Sequence, residues 1–252
     1  MPQVVDLVNP FHSISLQEMD HVKLLNRVDS KFIFNTTTLL HCLSNLDHEY
    51  RILENNSKRY TDYQSLYFDT NSFDLYKSHQ NGKLNRYKVR FRQYDENGPC
   101  YLEIKFKSNK GRTIKERKKV PIIEKILSAD SIQYIQKHTG MDDVLEAKVW
   151  SFFKRITLVG INYKERLTLD FELAFGAGNK IESLPNIAIA ELKQDNYNRN
   201  SPFAQMMKTN FVRPKSMSKY CIGTIFLNKE VKQNTFKELL LKINKTQHEL
   251  IN

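Results

Sequence analysis

Residues 86–92 and 101–107 alternate between apolar and charged positions. A period of two predicts β-strands that bury one face in the core. The intervening residues 95–99, Asp-Glu-Asn-Gly-Pro, have turn chemistry, so the two strands form a hairpin. One face of this hairpin is apolar. The other face carries six cations and one carboxylate, namely Arg86, Lys88, Arg90, Arg92, Lys105, Lys107 and Glu103.

The same alternation recurs along the chain. An ordinary half-exposed sheet also alternates, but its solvent face usually mixes both signs of charge. Here the sequence predicts eight strands. In each strand one set of alternate residues, which we call its charged parity, is polar, and in seven strands this set includes Arg or Lys. The six further strands are predicted at 27–34, 62–69, 112–120, 150–158, 164–173 and 186–193. Their charged parities include Arg27, Lys31, Lys115, Arg117, Arg155, Arg166, Asp170, Glu191 and Lys193.

Helical periodicity fills much of the remaining chain. A capping box at Ser15 and Glu18 predicts a helix to about residue 26. Further helices are predicted from about 36, at 72–78, at 122–138, from Ser201-Pro202 to about 212, and as a basic amphipathic tail over 229–247. There is no repeat and no linker rich in Gly, Pro or Ser, so we expect one domain over 1–252, with its core at about 20–228.

A closed barrel explains the repeated charged parity, because closure points one parity of every strand inward. The predicted fold class is α+β: an eight-stranded antiparallel β-barrel with helices packed around it and a C-terminal helix. Interior charges are costly unless they are paired or bound to a ligand. The interior is therefore expected to be wet and to bind an anion, with a few carboxylates able to hold a divalent metal.

Composition supports an anionic ligand. The net charge is +11 and the pI is about 9.4, as expected for a protein that binds a polyanion. The three cysteines show no CxxC pair, which indicates reduced thiols rather than disulfides. The sequence has no apolar stretch near the length of about 20 residues that spans a bilayer, and its first ten residues do not resemble a signal peptide. We expect a soluble cytoplasmic protein, with location at the inner face of the membrane left open.

Seven short motifs occur in order along the chain, and those on predicted strands have their charged residues on the charged parity. They are Arg27-x-Asp29-x-Lys31-Phe32, Tyr67-Phe68-Asp69-Thr70, Lys88-x-Arg90-x-Arg92, Glu103-x-Lys105, Arg166-x-x-x-Asp170, Glu191-Leu192-Lys193 and Ser218-Lys219-Tyr220. Together they resemble the VTC domain, the catalytic domain of vacuolar transporter chaperone-type polyphosphate polymerases and their bacterial relatives. That family belongs to the triphosphate tunnel metalloenzymes, which include the CYTH-type triphosphatases. The resemblance covers about residues 20–228.

This resemblance implies a tunnel that binds ATP or another triphosphate, Mn²⁺ or Mg²⁺, and a growing polyphosphate chain; no nucleic acid partner is expected. Glu191 matches the metal-coordinating glutamate, and Ser218 matches a serine near the tunnel end. Either Lys115 or Arg117 matches a further cation. The cations that match phosphate-binding positions are Lys31, Arg90, Arg92, Lys105, Arg155, Arg166 and Lys219, to which the parities add Arg27, Lys88 and Lys193. Of these, Lys31, Arg90, Arg92 and Lys105 are the predicted catalytic residues.

Several roles stay open at this point. Asp170, Glu172 and Glu103 either hold metal or neutralise neighbouring cations, and for Glu172 neutralisation of Arg166 is favoured. Tyr67 is interpreted as wall packing. Two departures from the family occur on the strands: Asp29 and Phe32 stand where Glu and Tyr are common, and Phe153 stands where the polymerase has Tyr.

The function has three candidate forms. The first is phosphoryl transfer from ATP to phosphate or polyphosphate, and the second is hydrolysis of tripolyphosphate or a nucleoside triphosphate. The third is a module that binds polyanions without catalysis, through an outer patch at Lys107, Lys110, Arg112, Lys118 and Lys119. No regulatory SPX domain or membrane-spanning region is expected within this chain, so association with a membrane protein partner is left open, as is the oligomeric state.

Overall fold

The computed structural model describes residues 2–20 and 28–248. Within these ranges the strands are β1 (Ser13–Ile14), β2 (Val28–Asn35), β3 (Tyr50–Leu53), β4 (Thr61–Asp69), β5 (Arg86–Tyr94), β6 (Cys100–Lys107), β7 (Thr113–Val120), β8 (Glu146–Gly160), β9 (Glu165–Ala177), β10 (Lys180–Leu184) and β11 (Ile187–Gln194). The helices are α1 (Pro2–Val8), α2 (Leu16–Asp20), α3 (Thr36–Leu43), α4 (Asp74–Gln80), α5 (Ala129–Thr139), α6 (Pro202–Thr209), α7 (Lys219–Leu227) and α8 (Lys237–His248), with a 3-10 turn at Asn234–Phe236.

The eight predicted strands form one antiparallel path in the order β2-β11-β9-β8-β4-β5-β6-β7. The expected eight-stranded antiparallel architecture with surrounding helices is thereby confirmed. The short strands β1, β3 and β10 are additions that the alternation did not predict. Of these, β10 pairs with the end of β9 to form a hairpin, and β3 pairs with the end of β8.

The sheet curls strongly around its charged face. In a flat sheet, six strand spacings of about 4.8 Å would separate β2 from β6 by about 29 Å. Burial and the charges of Lys88 on β5 and Lys31 on β2 lower the pKa of Lys105 on β6, whereas the charge of Glu191 on β11 raises it. These charges act on one another because curling brings the far strands face to face across a common interior. We call this interior the lumen.

Hydrogen bonding does not close the curl. Among the described residues, β2 and β7 end the strand path and do not pair with each other. The β7 edge is mostly exposed and carries four cations in Thr-Ile-Lys-Glu-Arg-Lys-Lys-Val. Edge strands rich in Lys and Arg resist pairing with a further strand. The closed barrel expected from the sequence is therefore a curled sheet with a seam between β2 and β7.

Apolar side chains pack in two layers outside the lumen. One layer lies under α1, α3 and α6 and buries the outward parities of β2, β8, β9 and β11. The other lies under α5 and buries those of β4, β5 and β6, including Val89, Phe91, Leu102 and Ile104. Because these residues face outward, the alternate charged residues of the same strands face the lumen.

One end of the lumen is filled from inside by α7. Buried side chains of this helix pack against Ile33, Val149, Phe175 and other inward-facing residues. A Cβ atom at Gly223 would lie 2.6 Å from Phe175 Cδ1 and 2.8 Å from Val149 Cγ1. Glycine therefore allows the helix to approach the wall closely. The position of this segment inside the sheet could not be predicted from the sequence pattern.

The structure confirms the predicted start of one helix, at Ser15, and corrects the start of another, at residue 122. The capping box is confirmed, since Glu18 N donates to Ser15 Oγ (3.2 Å) and Ser15 N donates to Glu18 Oε2 (2.9 Å); the predicted continuation over 21–26 lies outside the described residues. The helix predicted from 122 is wrong at its start. It begins at Ala129, because Ser128 is its N-cap and accepts from Ser131 N. No helix in the described ranges is long and apolar enough to cross a membrane.

Candidate active site

Strand register brings most of the predicted cations to the lumen face. Residues that are directly opposite in an antiparallel pair share a face. Lys31 lies opposite Glu191, Asp29 opposite Lys193, and Lys193 opposite Arg166. On the other wall, Arg90, Glu103 and Arg117 form one row, and Lys88, Lys105 and Lys115 form the next. Arg27 lies outside the described residues.

Glu191 is held between two lysines. Lys31 Nζ lies 2.6 Å from Glu191 Oε1, and Lys193 Nζ lies 3.1 Å from Oε2. Burial alone would raise the pKa of Glu191, but Lys193, Lys31 and Arg155 outweigh it and hold the pKa well below its ordinary value. The group is therefore a carboxylate at neutral pH, and both of its oxygens are in use.

Asp170 forms the second ion-pair group. Arg155 donates from Nε to Oδ1 (2.5 Å) and from Nη2 to Oδ2 (2.7 Å), and Lys219 also contacts Oδ2. Burial would raise the pKa of Asp170, but these two cations lower it to about 2. Because Lys219 is the first residue of α7, this contact ties the helix to β9.

Glu103 forms the third group and is 1% exposed. Arg90 donates to Glu103 Oε2 from Nε (2.9 Å) and Nη2 (2.6 Å), while Lys115 ion-pairs with Oε1. Burial would raise the pKa of Glu103, but Arg90, Arg92 and Lys115 lower it to about 2. Arg90 also donates from Nη1 to the hydroxyl of Tyr67 (3.0 Å). Tyr67 is thus both packed in the wall and directed at the lumen cations.

Several lumen cations, among them Lys88, Arg92 and Lys105, make no direct ion pair with a carboxylate of the described residues. Lys88 Nζ donates to Ser218 Oγ (2.8 Å), and Arg92 Nε donates to Ser65 Oγ (3.0 Å). Burial and neighbouring cations lower the pKa of Lys105 to about 8. Like charges gathered without matching counter-ions raise the energy of the empty site, and an anion would relieve this.

An aromatic pair stands among the cations. The rings of Tyr63 and Phe153 are stacked, with centroids 4.9 Å apart at 17°. The guanidinium carbon of Arg92 lies 5.1 Å from the Tyr63 centroid, that of Arg155 lies 4.8 Å from it, and Lys219 Nζ lies 4.2 Å from the Phe153 centroid. Such cation–π contacts hold the cations in place without neutralising them. Sequence analysis missed Tyr63, although it shares the parity of Ser65 and Tyr67.

Ser218 lies where the loop before α7 enters the lumen. It is the N-cap of the helix, and its Oγ accepts from Cys221 N (3.3 Å) as well as from Lys88. The predicted position of this serine at the tunnel end agrees with the structure. Its neighbour Lys219 reaches Asp170 on the opposite side, so residues 218 and 219 bridge β5 and β9.

The structure decides two expectations about charged residues of β9 and β7. Glu172 does not neutralise Arg166: its backbone has φ 51°, the β8–β9 register shifts there, and its carboxylate pairs with Lys154 at 2.7 Å on the outer parity. An extra residue in β9 causes this switch of face. Lys115 and Arg117 share the lumen parity, but Lys115 reaches Glu103 whereas Arg117 stacks over Tyr101 at 5.1 Å.

The three predicted metal carboxylates do not form one cage. No group of three or more His, Cys, Asp or Glu in the described part of the chain could hold a metal ion. Glu191, Asp170 and Glu103 instead each belong to a separate ion-pair group. Mg²⁺ and Mn²⁺ also bind through one or two carboxylates together with substrate phosphates and water. Glu191 fits that mode, because carboxylate oxygen is the donor type these ions prefer.

A family model of the VTC domain matches residues 26–228, which include all eight strands of the antiparallel path from β2 to β7. The chain belongs to the VTC domain family. It is therefore an enzyme of the triphosphate-tunnel type, a phosphotransferase or triphosphatase, and metal dependence is general among such enzymes. No curated protein sequence matches the chain.

Solved structures share a distant likeness. A Hippeastrum protein described as an adenylyl cyclase with dominant triphosphatase activity is 16% identical, with TM-score 0.48, over 82% of this chain and 97% of its own. The PH1819 protein of Pyrococcus horikoshii is 10% identical, with TM-score 0.42, over 81% and 100%. A Bacillus halodurans protein described as an adenylate cyclase is 11% identical, with TM-score 0.43, over 77% and 94%.

Proposed function

We propose that this VTC domain transfers the γ-phosphate of ATP to a phosphate or polyphosphate acceptor and so lengthens a polyphosphate chain. The main support is the cationic excess of the lumen. The carboxylates of Glu191, Asp170 and Glu103 are each already held by two cations. By contrast, Lys88, Arg92 and Lys105 have no direct carboxylate partner in the described residues. A lumen of this kind suits a chain of phosphates better than a neutral or cationic substrate.

The chain's own residues can support an in-line transfer. The acceptor phosphate oxygen forms a bond to the γ-phosphorus as the bond from that phosphorus to the β–γ bridging oxygen breaks, and ADP leaves. Charge spreads over the oxygens of the transferring group, where Arg90 and Arg92 are placed to stabilise it. No protein nucleophile is required. Arginines keep their charge at all cellular pH values, so the contribution of these two residues does not depend on pH.

Binding requires the ion-pair groups to rearrange. Lys31, Lys193 and Lys219 release carboxylate oxygens when they bind phosphate oxygens, which exchanges one charge-assisted contact for another. Glu191 is then free to share a divalent ion with the phosphate chain. Such an ion, Mn²⁺ or Mg²⁺, would supply further neutralisation of the triphosphate.

Hydrolysis is the second candidate, and Tyr67 is the observation that favours it. Burial would raise the pKa of Tyr67, but Arg90, Arg92 and Lys88 outweigh it and lower the pKa to about 8. The phenolate form of Tyr67, which this lowered pKa makes accessible near neutral pH, could take a proton from an attacking water. Transfer to a phosphate acceptor has no such need, because the acceptor already carries an anionic oxygen.

The products separate the two candidates. Purified protein with ATP and Mn²⁺ is expected to form ADP and a polymer that is digested by an exopolyphosphatase. Orthophosphate as the sole phosphorus product besides ADP would reject the polymerase and support hydrolysis. Tyr67→Phe sharpens the comparison, because it should slow hydrolysis strongly and leave transfer to phosphate nearly unchanged.

A charge-matched pair of variants tests the location of the site. Arg90→Ala with Arg92→Ala should lower turnover by at least about 10³-fold, as expected when preorganised charge contacts are removed. The control is Lys125→Ala with Lys137→Ala, which removes the same charge from exposed positions outside the lumen. Equal activity in both double variants would show that catalysis does not use the lumen.

A further inference from the structure

Two pairs of like charges face each other at one end of the β5–β6 hairpin. Arg86 lies directly opposite Lys107, and Lys88 lies directly opposite Lys105. Like charges opposite each other in a sheet are destabilising. None of these four cations makes an ion pair with a carboxylate in residues 2–20 or 28–248. Arg86 donates to the backbone oxygen of Lys83 (2.6 Å), and Lys88 donates to Ser218 Oγ.

A histidine on α4, which packs on β5, lies within the electrostatic influence of the same four cations. His79 lies in α4, and its Nδ1 atom is buried without a hydrogen-bond partner in the described structure. Burial lowers the pKa of His79, as do the charges of Lys88, Arg86, Lys107 and Lys105, to about 3. The other side of the ring approaches Phe236, with centroids 6.1 Å apart. The four cations form two adjacent like-charged pairs on one face of the hairpin, and the nearby imidazole of His79 adds a polar atom without a positive charge.

These five residues, His79, Arg86, Lys88, Lys105 and Lys107, form what we call the α4-side cluster. It is continuous with the lumen through Lys88 and Lys105. The rest of this end of the lumen is closed by α7 and its apolar contacts with β4, β8, β9 and β11. A charged chain leaving the lumen at this end would meet apolar side chains over most of the opening and cations only along β5 and β6.

We propose that the α4-side cluster binds phosphate groups of a polyphosphate chain that extends beyond the triphosphate held in the lumen. This inference rests on the proposed function, since it gives that function a polymeric substrate. Phosphate groups would separate the like charges of β5 and β6 and accept hydrogen bonds from Arg86 and Lys107. The cluster would thus give the enzyme a preference for long chains over tripolyphosphate.

The orientation of the hairpin favours polyphosphate over a nucleic acid. Proteins that hold single-stranded nucleic acid combine cations with aromatic platforms for the bases. Here Tyr87 and Phe106 belong to the opposite parity and pack on each other, with centroids 4.6 Å apart. The hairpin therefore directs its cations to the cluster and its aromatic rings away from it.

The test compares two ligands on two charge-matched double variants. Arg86→Gln with Lys107→Gln removes the outer cations of the cluster and keeps most of each side-chain stem. The control is Lys125→Gln with Lys137→Gln, on exposed positions outside the sheet. Binding of tripolyphosphate and of a long-chain polyphosphate is measured by calorimetry, and urea unfolding checks that both variants fold. Comparing variants with the same ligand cancels the statistical advantage of a long chain.

We expect the cluster variant to lose about tenfold or more in affinity for the long chain, since each lost contact is a hydrogen bond between charged groups. Its affinity for tripolyphosphate should stay within about twofold of the control. Equal long-chain affinity in the two variants would overturn the inference while leaving triphosphate binding intact. Failure of the unmodified protein to bind tripolyphosphate would instead reject the proposed function. An oligothymidylate that competes equally well, and loses equally in the cluster variant, would assign the cluster to nucleic acid.

Discussion

Asp69 accepts a hydrogen bond from the hydroxyl of Tyr220, and this contact joins the end of β4 to α7. The same buried carboxylate accepts from Leu75 N and Tyr76 N, at 2.8 Å each, in the first turn of α4. One side chain therefore fixes both helices that close this end of the lumen. Through α7 it also determines where Lys219 meets Asp170.

Asp69→Asn should weaken this junction. Oδ1 of Asp69 accepts from Thr70 N and Leu75 N, and Oδ2 accepts from Tyr76 N and the Tyr220 hydroxyl. The amide nitrogen of asparagine cannot accept a hydrogen bond, so two of these donors lose their acceptor whichever oxygen it replaces. We expect the free energy of unfolding to fall by about 1–3 kcal/mol, the usual cost of buried unsatisfied groups. Triphosphate affinity should fall as well, because Lys219 and Ser218 would no longer be held in place. Urea unfolding and calorimetric titration measure the two effects.

Tyr220→Phe is the matched variant, since it removes one donor and leaves the acceptors of Asp69 for α4 intact. Its stability loss should be smaller, about 1 kcal/mol. A loss in Tyr220→Phe equal to that in Asp69→Asn would mean that the α4 contacts contribute nothing.

Anion binding should weaken as the pH rises through 8. Burial and the charges of Lys88 and Lys31 lower the pKa of Lys105 to about 8, so the free protein loses this cation above that pH. Tripolyphosphate binds best to the protein with Lys105 charged. At high pH, binding therefore requires Lys105 to take up a proton. Affinity measured between about pH 7 and pH 9 should fall in the unmodified protein. In Lys105→Arg the fall should be much smaller, because arginine stays charged.

The pKa of Tyr67 is also lowered to about 8, so a second variant is needed to distinguish its titration from that of Lys105. Tyr67→Phe removes that titration and should leave the Lys105-dependent fall in place. An identical pH profile in Lys105→Arg and the unmodified protein would contradict the assignment to Lys105.

The strands and their faces could be predicted because alternation depends on local sequence alone. Lys31 and Glu191 alternate with buried apolar residues on β2 and β11, and the structure places them opposite each other. The register itself could not be predicted, since it depends on pairing between distant segments. The same limit applies to Lys219, whose contact with Asp170 depends on how α7 enters the sheet.

Two errors have local causes that a periodic pattern cannot detect. Glu172 follows the lumen parity in sequence, but one residue with positive φ moves it to the other face. Pro121 is typical of a helix start, and the sequence therefore predicted a helix from residue 122. The N-cap is instead Ser128, and Ile122 and Ile126 before it are exposed. His79 gave no sequence signal at all, because its importance comes from cations on two other elements.

Gly223→Ala should destabilise the protein although alanine favours helices. The added methyl group would lie within 3 Å of Phe175 and Val149. Overpacking costs about 1–3 kcal/mol, which exceeds the helix gain of about 1 kcal/mol. Phe175→Leu in the same chain should recover part of the loss by making room. Urea unfolding of the two single variants and the double variant tests this, and strictly additive losses would argue against a clash between these residues.

Glu103→Gln tests whether this carboxylate neutralises cations or binds metal. Both of its oxygens are engaged, one by Arg90 and the other by Lys115, so we predict the neutralising role. Without metal, the variant should bind tripolyphosphate more tightly, because the two cations no longer share their charge with Glu103. It should also unfold more easily at neutral pH, by about 3–5 kcal/mol, as expected when a buried ion pair loses one partner.

Acid unfolding gives an independent measure of the same ion pairs. Burial would raise the pKa of Glu103, but Arg90, Arg92 and Lys115 lower it to about 2 in the folded protein, below the value of about 4.3 in an unfolded chain. Its stabilising contribution is therefore complete above the unfolded pKa and is lost as the pH falls toward 2. Glu103→Gln should flatten this part of the stability curve. A variant that keeps the acid dependence but loses the effect of Mn²⁺ on tripolyphosphate binding would identify Glu103 as a metal ligand instead.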